Sequence, residues 1–420
     1  MKRLCALGCV LVLGALSGCD GTLDSLGNEP KSLSKLSGPR THYPDTFQYH
    51  DSFKPLNLDA SDKIQKAFTQ LFVNGNALTE AIYFQQPDGS AVIEDVYHNN
   101  EVRTEGMGLA MLITVELGNQ PMFDQLWTAL KNSRTAQGYF SSYCDAVDDV
   151  LDTVCLDPYG MQQIALSLMF ANDRWHSTPA MPYASDALAL LDALQNQTTL
   201  TGSDAGDLVS VFDPATHLVR EAPTVGQAGY TRSALEIPAY YELWWQATGN
   251  EFWRVAAKQA RKHLLAAADS TTGLAPARSY ADGVPAQGWF IAQGYRTQLN
   301  LAIDALWGTP DSDWGTPDQG RTALADRTLG FFAGQMPQGQ PPTYALTFMP
   351  DGTVKTRGSA PSQALISVNG ALAVASSRTD RNNFVEAVWA QSVPTGDLRY
   401  YDGLMYLMSL LVLSGQLRVW

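Results

Sequence analysis

The chain has 420 residues, 45% of them hydrophobic and 17% charged, enough apolar material for one large core or two to three ordinary domains. Its 10 Trp, 15 Phe and 17 Tyr exclude disorder over most of the length. With 42 acids against 28 bases the formal charge is −14, so no surplus of cations exists to neutralise phosphates, and nucleic acid is excluded as a partner.

Lys2 and Arg3 precede an apolar run from Leu4 to Leu16, followed by Ser17-Gly18-Cys19. A basic start, a short apolar centre and small residues before a cut describe a secretory signal, and the run is too short to span a bilayer as a helix. Leu16-Ser17-Gly18-Cys19 resembles the bacterial lipobox, which implies a signal peptide over residues 1–18, cleavage before Cys19 and lipidation of that cysteine. The protein is then expected in the bacterial cell envelope, on the periplasmic side or the cell surface, touching the membrane through its lipid anchor only. Removal of residues 1–18 moves the formal charge from −14 to −16, since Lys2 and Arg3 are their only charged side chains. Residues 19–41 hold the lipidated cysteine and a Gly-, Ser-, Asn- and Lys-rich tether. No comparable linker follows, so residues 42–420 are expected to form one domain.

Two kinds of helix alternate along that domain. Residues 104–117 are apolar almost all round, as a buried helix is, and residues 160–172 and 401–413 read alike, the last ending at Ser414-Gly415. Residues 61–73, 120–133 and 250–267 are amphipathic, the third with Asn250 as cap and Arg254, Lys258 and Arg261 on one face. Buried segments are expected near 104, 160, 235, 293, 360 and 400, and half-buried ones near 61, 120, 183, 250, 319 and 381. Six of each, interleaved, suit an all-α fold in which an inner ring is surrounded by an outer one, an (α/α)6 barrel. A solenoid would need a sequence repeat, and none is visible.

Cys144 and Cys155 are an even pair in an oxidising compartment, and a disulfide between them would close a loop containing Asp145, Asp148, Asp149 and Asp152. Those acids lack the ordered spacing and central Gly of a calcium-binding EF-hand, so a solvated, stapled loop is expected and no metal site. HExxH, GxSxG and P-loop motifs are absent and the six His are scattered, so no cofactor is expected. If the inner helices run parallel, their N-termini open on one mouth, and Glu105, Tyr159, Glu236, Gln293 and Tyr400 lie at or just before such starts. A Glu in a first helical turn also simply complements the helix dipole.

The segment Glu101-Val102-Arg103-Thr104-Glu105-Gly106-Met107 resembles the surroundings of the catalytic acid in family-8 glycoside hydrolases, above all the reducing-end xylose-releasing exo-oligoxylanases. The likeness continues through Phe123-Asp124-Gln125-Leu126-Trp127, Gly138-Tyr139-Phe140, Tyr241-Glu242-Leu243 and Gly273-Leu274-Ala275-Pro276. Further on it takes in Tyr295-Arg296 with Asn300 and Asp304, and Thr395 to Asp402. The resemblance implies an (α/α)6 barrel that hydrolyses β-1,4-linked xylan, glucan or chitosan with inversion and without a metal. It also implies an oligosaccharide or polysaccharide as partner and a monomeric state.

Inversion needs two carboxyl groups, one to protonate the leaving oxygen and one to activate water on the opposite face of the sugar. Glu105 takes the acid position. The position of the family base is held by Gln293, and that of a second family Asp by Tyr159, with Asp157 two residues off register. The family's Asp-Pro-Ser-Tyr substrate segment is replaced by Arg232-Ser233-Ala234-Leu235, and a His position two residues later by Glu236. An amide cannot take a proton from water at neutral pH, so turnover needs a relocated carboxylate, for which Asp157 and Glu236 are the candidates. Tyr139, Trp289, Tyr295 and Arg296 are the expected sugar contacts. Three readings stay open: a hydrolase acting on xylo-oligosaccharides, a glycan-binding lipoprotein that has lost turnover, and an envelope scaffold whose cleft is filled.

Overall fold

The computed structural model describes residues 49–132, 157–196, 209–223, 229–308, 314, 320–336, 342–356 and 362–420, all within the unit Ser32–Trp420. Cys19, Tyr139, Cys144, Cys155 and the acidic loop lie outside these residues. Among the described residues, no helix is long and apolar enough to cross a membrane.

The described chain is helix-rich. Its twelve α-helices are α1 (Ala60–Phe68), α2 (Thr104–Glu116), α3 (Gln120–Asn132), α4 (Pro158–Trp175), α5 (Tyr183–Asn196) and α6 (Pro238–Thr248), followed by α7 (Glu251–Ala267), α8 (Arg296–Trp307), α9 (Arg321–Ala333), α10 (Gln363–Leu372), α11 (Arg381–Ala390) and α12 (Arg399–Leu413). Every residue of α2 is buried, as its uniform apolarity requires, whereas α7 buries Trp253, Ala256, Ala260 and Leu264 and turns Arg254 and Lys258 outward. Asn250 caps α7 by accepting from the Phe252 amide at 3.1 Å, and α12 stops at Gly415, whose φ of +68° a β-carbon would disfavour. In succession α2 packs on α4, α4 on α6, α6 on α8, α8 on α10 and α10 on α12, and α12 returns to α2. The remaining helices flank them: α1 lies on α12, α3 on α2, α5 on α4, α7 on α6, α9 on α8 and α11 on α10.

Three starts fall three residues later than the apolar pattern places them, among them α10 at Gln363 behind its Ser362 cap. α6 is preceded by a 3-10 turn at Ser233–Leu235 and begins at Pro238, while α8 follows a 3-10 turn at Ala292–Tyr295. The sequence reading also misses three small antiparallel sheets: β1 (Tyr83–Gln85) with β2 (Ala91–Asp95) and β3 (Glu101–Val102), β4 (Arg278–Ser279) with β5 (Pro285–Gln287), and β6 (Thr347–Phe348) with β7 (Val354–Thr356). The β1–β2, β4–β5 and β6–β7 hairpins turn on Asp88-Gly89, Asp282-Gly283 and Asp351-Gly352, with glycine φ of +84°, +87° and +91°. In each the Asp side chain accepts from the amide two residues on.

Buried ions tie the helices together. Asp304 of α8 pairs with Arg261 of α7 at 2.7 Å and with Arg321 of α9 at 3.0 Å, and accepts from the Trp314 indole at 3.0 Å. Arg261 also pairs with Glu242 of α6. The motif matches at Glu242 and Asp304 are therefore framework. Asn300 is framework too, donating to the carbonyls of Ala234 and Glu236 at 3.0 and 3.1 Å and so fixing the turn before α6.

Candidate active site

Close backbone approach positions the acid. A β-carbon on Gly160 would lie 2.3–2.5 Å from the Thr104 carbonyl and the Glu105 amide nitrogen, and one on Gly106 would lie 2.5 Å from the Tyr400 ring. The glycines let the starts of α2, α4 and α12 converge on Glu105. Gly160→Ala is accordingly expected to cost about 3 kcal/mol or more of stability, read as a drop in the denaturant midpoint, because backbone must move to admit the methyl. An unchanged midpoint would remove this account of the convergence. Ahead of α2, Arg103 is locked by Asp95 and Glu101, each at 3.0 Å, and Asp95 also meets His98 at 2.8 Å.

Glu105 is buried and its Oε2 accepts from Arg296 Nη2 at 2.7 Å. The Arg296 guanidinium lies 4.6 Å from the centre of the Tyr159 ring and 6.0 Å from that of Tyr401. Asp157 is half-buried and caps α4, accepting from the Tyr159 amide at 3.0 Å. Burial pushes the Tyr159 phenol up; Arg296 pulls it down, and Glu105 and Asp157 push it further up. The Tyr400 phenol is likewise raised, first by burial and then by Glu105, with Asp157 contributing. Arg296 is held above its ordinary range despite burial, by Glu105 first and by Tyr401 and Asp157 after it. Glu105 and Asp157 therefore act on the same guanidinium and the same two phenols.

Gln293 is half-buried in the turn before α8, where Tyr401 donates to the neighbouring Ala292 carbonyl at 2.5 Å. It lines a small cavity with Arg232, Ala234, Pro276, Ile291 and Thr297, and none of these described residues carries a carboxylate. Two residues picked out from the sequence, Glu236 as a candidate relocated carboxylate and Tyr295 as a sugar contact, are packed into the wall. Glu236 is fully buried and accepts from the Val219 amide at 3.0 Å, the Thr231 hydroxyl at 3.1 Å and the Tyr241 phenol at 3.3 Å, with its pKa pushed up to about 8 by burial. Tyr295 is also buried, packed on Phe290 with its hydroxyl on the Leu346 carbonyl, so its ring offers no face to a sugar. Trp289 is 40% exposed, with the Lys355 ammonium 4.3 Å from its ring centre. Asp95 was not singled out from the sequence; Tyr400 was placed at the mouth, but its approach to Gly106 depends on packing that spacing does not reveal.

The model for glycosyl hydrolases family 8 matches residues 82–313, more than half the chain. The chain belongs to glycosyl hydrolase family 8. Within this family it is 28% identical to a reducing end xylose-releasing exo-oligoxylanase of Halalkalibacterium halodurans, over 89% of this chain and 95% of that one. It is 26% identical to a counterpart in Bifidobacterium adolescentis, over 86% and 94%. A crystal structure of a GH8 xylobiose complex from Teredinibacter turnerae superposes with a TM-score of 0.78 at 29% identity, covering 88% of this chain and 97% of that chain. The family-8 segment takes in Glu105, Asp157, Tyr159, Gln293 and Arg296.

Proposed function

We propose that the chain is an envelope lipoprotein that hydrolyses β-1,4-linked xylo-oligosaccharides with inversion on an (α/α)6 barrel. Glu105 is the general acid and Asp157 the carboxylate that activates water. The observation that carries this reading is the convergence of Glu105 and Asp157, from the starts of neighbouring helices α2 and α4, on Arg296, Tyr159 and Tyr400. The succession of helix contacts from α2 round to α12 and back supports the barrel, and the exo-oligoxylanase relatives support the substrate class. In the proposed cycle Glu105 gives its proton to the departing glycosidic oxygen. Water attacks the anomeric carbon from the opposite face and passes a proton to Asp157, so the two carboxyls exchange roles and reset through solvent. Arg296 orients Glu105. The Tyr400 hydroxyl is buried against Gly106 and makes no hydrogen bond among the described residues. Gln293 can orient water but not deprotonate it.

The test is a one-day incubation with xylo-, cello- and chito-oligosaccharides, with the product anomer followed by NMR. Xylo-oligosaccharides are expected to be shortened, with the newly formed reducing end in inverted configuration when read in the first minutes, before mutarotation; no product from any of the sugars over the full day defeats the hydrolase reading. Gln293 and the Tyr159 ring stacked over Arg296 favour a second reading, a glycan-binding protein without turnover, which heat of binding in the absence of product would establish. Anchoring through Cys19 is tested by fatty-acid labelling, which a Cys19→Ala chain is expected to lose.

A further inference from the structure

Beside the candidate active site, a short antiparallel ladder carries a surface that the hydrolytic reading does not use. Thr231 and Ser279 exchange backbone hydrogen bonds of 2.9 and 3.0 Å. Both side chains point inward, Thr231 to Glu236 at 3.1 Å and Ser279 to His263 at 3.2 Å. Because side chains alternate across a strand, Tyr230, Arg232, Arg278 and Tyr280 share the outer face. The Tyr230 and Tyr280 rings lie 5.3 Å apart, Tyr280 is 45% exposed, and the Arg278 guanidinium sits 5.2 Å from the Tyr230 ring centre. The β4–β5 hairpin extends this face: Gln287 stands opposite Arg278, and Trp289 follows two residues later, beneath Lys355.

Charge separates this strip from the rest of the molecule. Arg232 and Arg278 share one acid, Glu221, at 2.5 Å from Arg232 Nε and 3.0 Å from Arg278 Nη2. Asp282 stands at the hairpin tip, and Lys355 adds a third cation. Asp351 closes the hairpin that supplies Lys355, so the excess lies in the pair Arg232 and Arg278, two cations against the one carboxylate of Glu221, in a chain of formal charge −14. At its inner end Arg232 lines the same cavity as Gln293. A neutral glycan needs only the aromatic faces; a pair of guanidiniums sharing a single carboxylate fits a ligand that brings a carboxylate of its own.

We propose that this strip is a subsite for uronic-acid substituents on a β-1,4-linked glycan, running outward from the family's base position. The proposal rests on the β-1,4-glycan reading above. Calorimetry on the whole chain with linear xylotetraose, the same backbone bearing one glucuronic acid branch, and its carboxyl-reduced form tests it. The acidic ligand is expected to bind about fivefold tighter than the other two at low salt, as one partly exposed ion pair allows. That advantage should vanish in 0.5 M NaCl (about a 4 Å screening length) and in an Arg278→Gln/Lys355→Gln variant that still binds the linear chain. Equal affinity for acidic and neutral ligands overturns the subsite and leaves the hydrolase reading standing; a variant weakened equally toward all three also overturns it. No binding of any of the three overturns both.

Discussion

Glu105→Gln is expected to lower turnover of xylotetraose by about 10²–10⁴-fold, or about 3–5 kcal/mol in barrier, with KM little changed. The amide keeps an oxygen for Arg296 but has no proton of suitable acidity for the leaving sugar. The expectation sharpens with a leaving group that needs no proton. On a xylobioside of an acidic phenol, Glu105→Gln should be largely spared, because departure of a stable phenolate does not require a general acid. Asp157→Asn should be slow on both substrates, since activation of water is needed whatever leaves. Asn caps a helix as well as Asp does, so the bond to the Tyr159 amide and the start of α4 survive that exchange. Kinetics on the two substrates therefore assign the roles separately. Equal loss on both by Glu105→Gln would deny it the acid role, and full activity in Asp157→Asn would return the base to an unassigned group.

The positions of all twelve helices were legible because burial leaves a mark that needs no knowledge of partners: α2 is apolar on every side and buried on every side, and α7 is striped and half-buried. Hairpins were missed although their signal was present, three Asp-Gly pairs each at a positive glycine φ. The apolar pattern drew attention to helices and away from turns. Within the candidate site, the motif pointed to Glu105 and the register of Tyr159 to its neighbour Asp157, and the structure sets the two at the starts of α2 and α4. Long-range partners were not readable. The hydrogen bond from Arg296 to Glu105 joins residues 191 apart, and that of Tyr295 to Leu346 joins residues 51 apart. Glu236 illustrates the cost. At the start of a presumed inner helix it reads as a carboxylate at the mouth, yet three donors from Val219, Thr231 and Tyr241 make it part of the wall. Conversely, Trp289 and Tyr295 look alike as aromatic candidates, and only burial tells the exposed ring from the packed one.

The pH dependence of folding is expected to run opposite to that of a chain dominated by exposed ion pairs. Glu116 at the end of α2 is fully buried, and its Oε2 accepts from the Arg418 amide at 3.1 Å and the Trp420 indole at 2.9 Å, docking the C-terminal residues. Burial pushes its pKa up to about 8, against the smaller opposing pull of those donors and of Arg174 and Arg418; Glu236 is likewise raised to about 8. Both acids therefore stay protonated in the folded chain while the unfolded chain ionises near the ordinary value of 4.5. Their contribution is fully present below about pH 4.5 and is lost as pH rises toward about 8, because the unfolded state releases protons that the folded state retains. For each group the loss is about 5 kcal/mol at most, from 1.36 kcal/mol per pKa unit. At the acid end the gain is limited by Asp304, which Arg261 and Arg321 hold below its ordinary value against burial and which loses its pairing on protonation. Urea midpoints of the wild-type chain should fall between pH 5 and pH 8. A Glu116→Gln/Glu236→Gln chain, whose amide oxygens can still accept from Arg418 and Trp420 and from Val219 and Thr231, should lose most of that slope and be the more stable of the two at pH 8. Identical slopes in both chains would mean that these carboxyls ionise in the folded state, and the C-terminal residues would then have to dock on Glu116 as a charge held by Arg174 and Arg418.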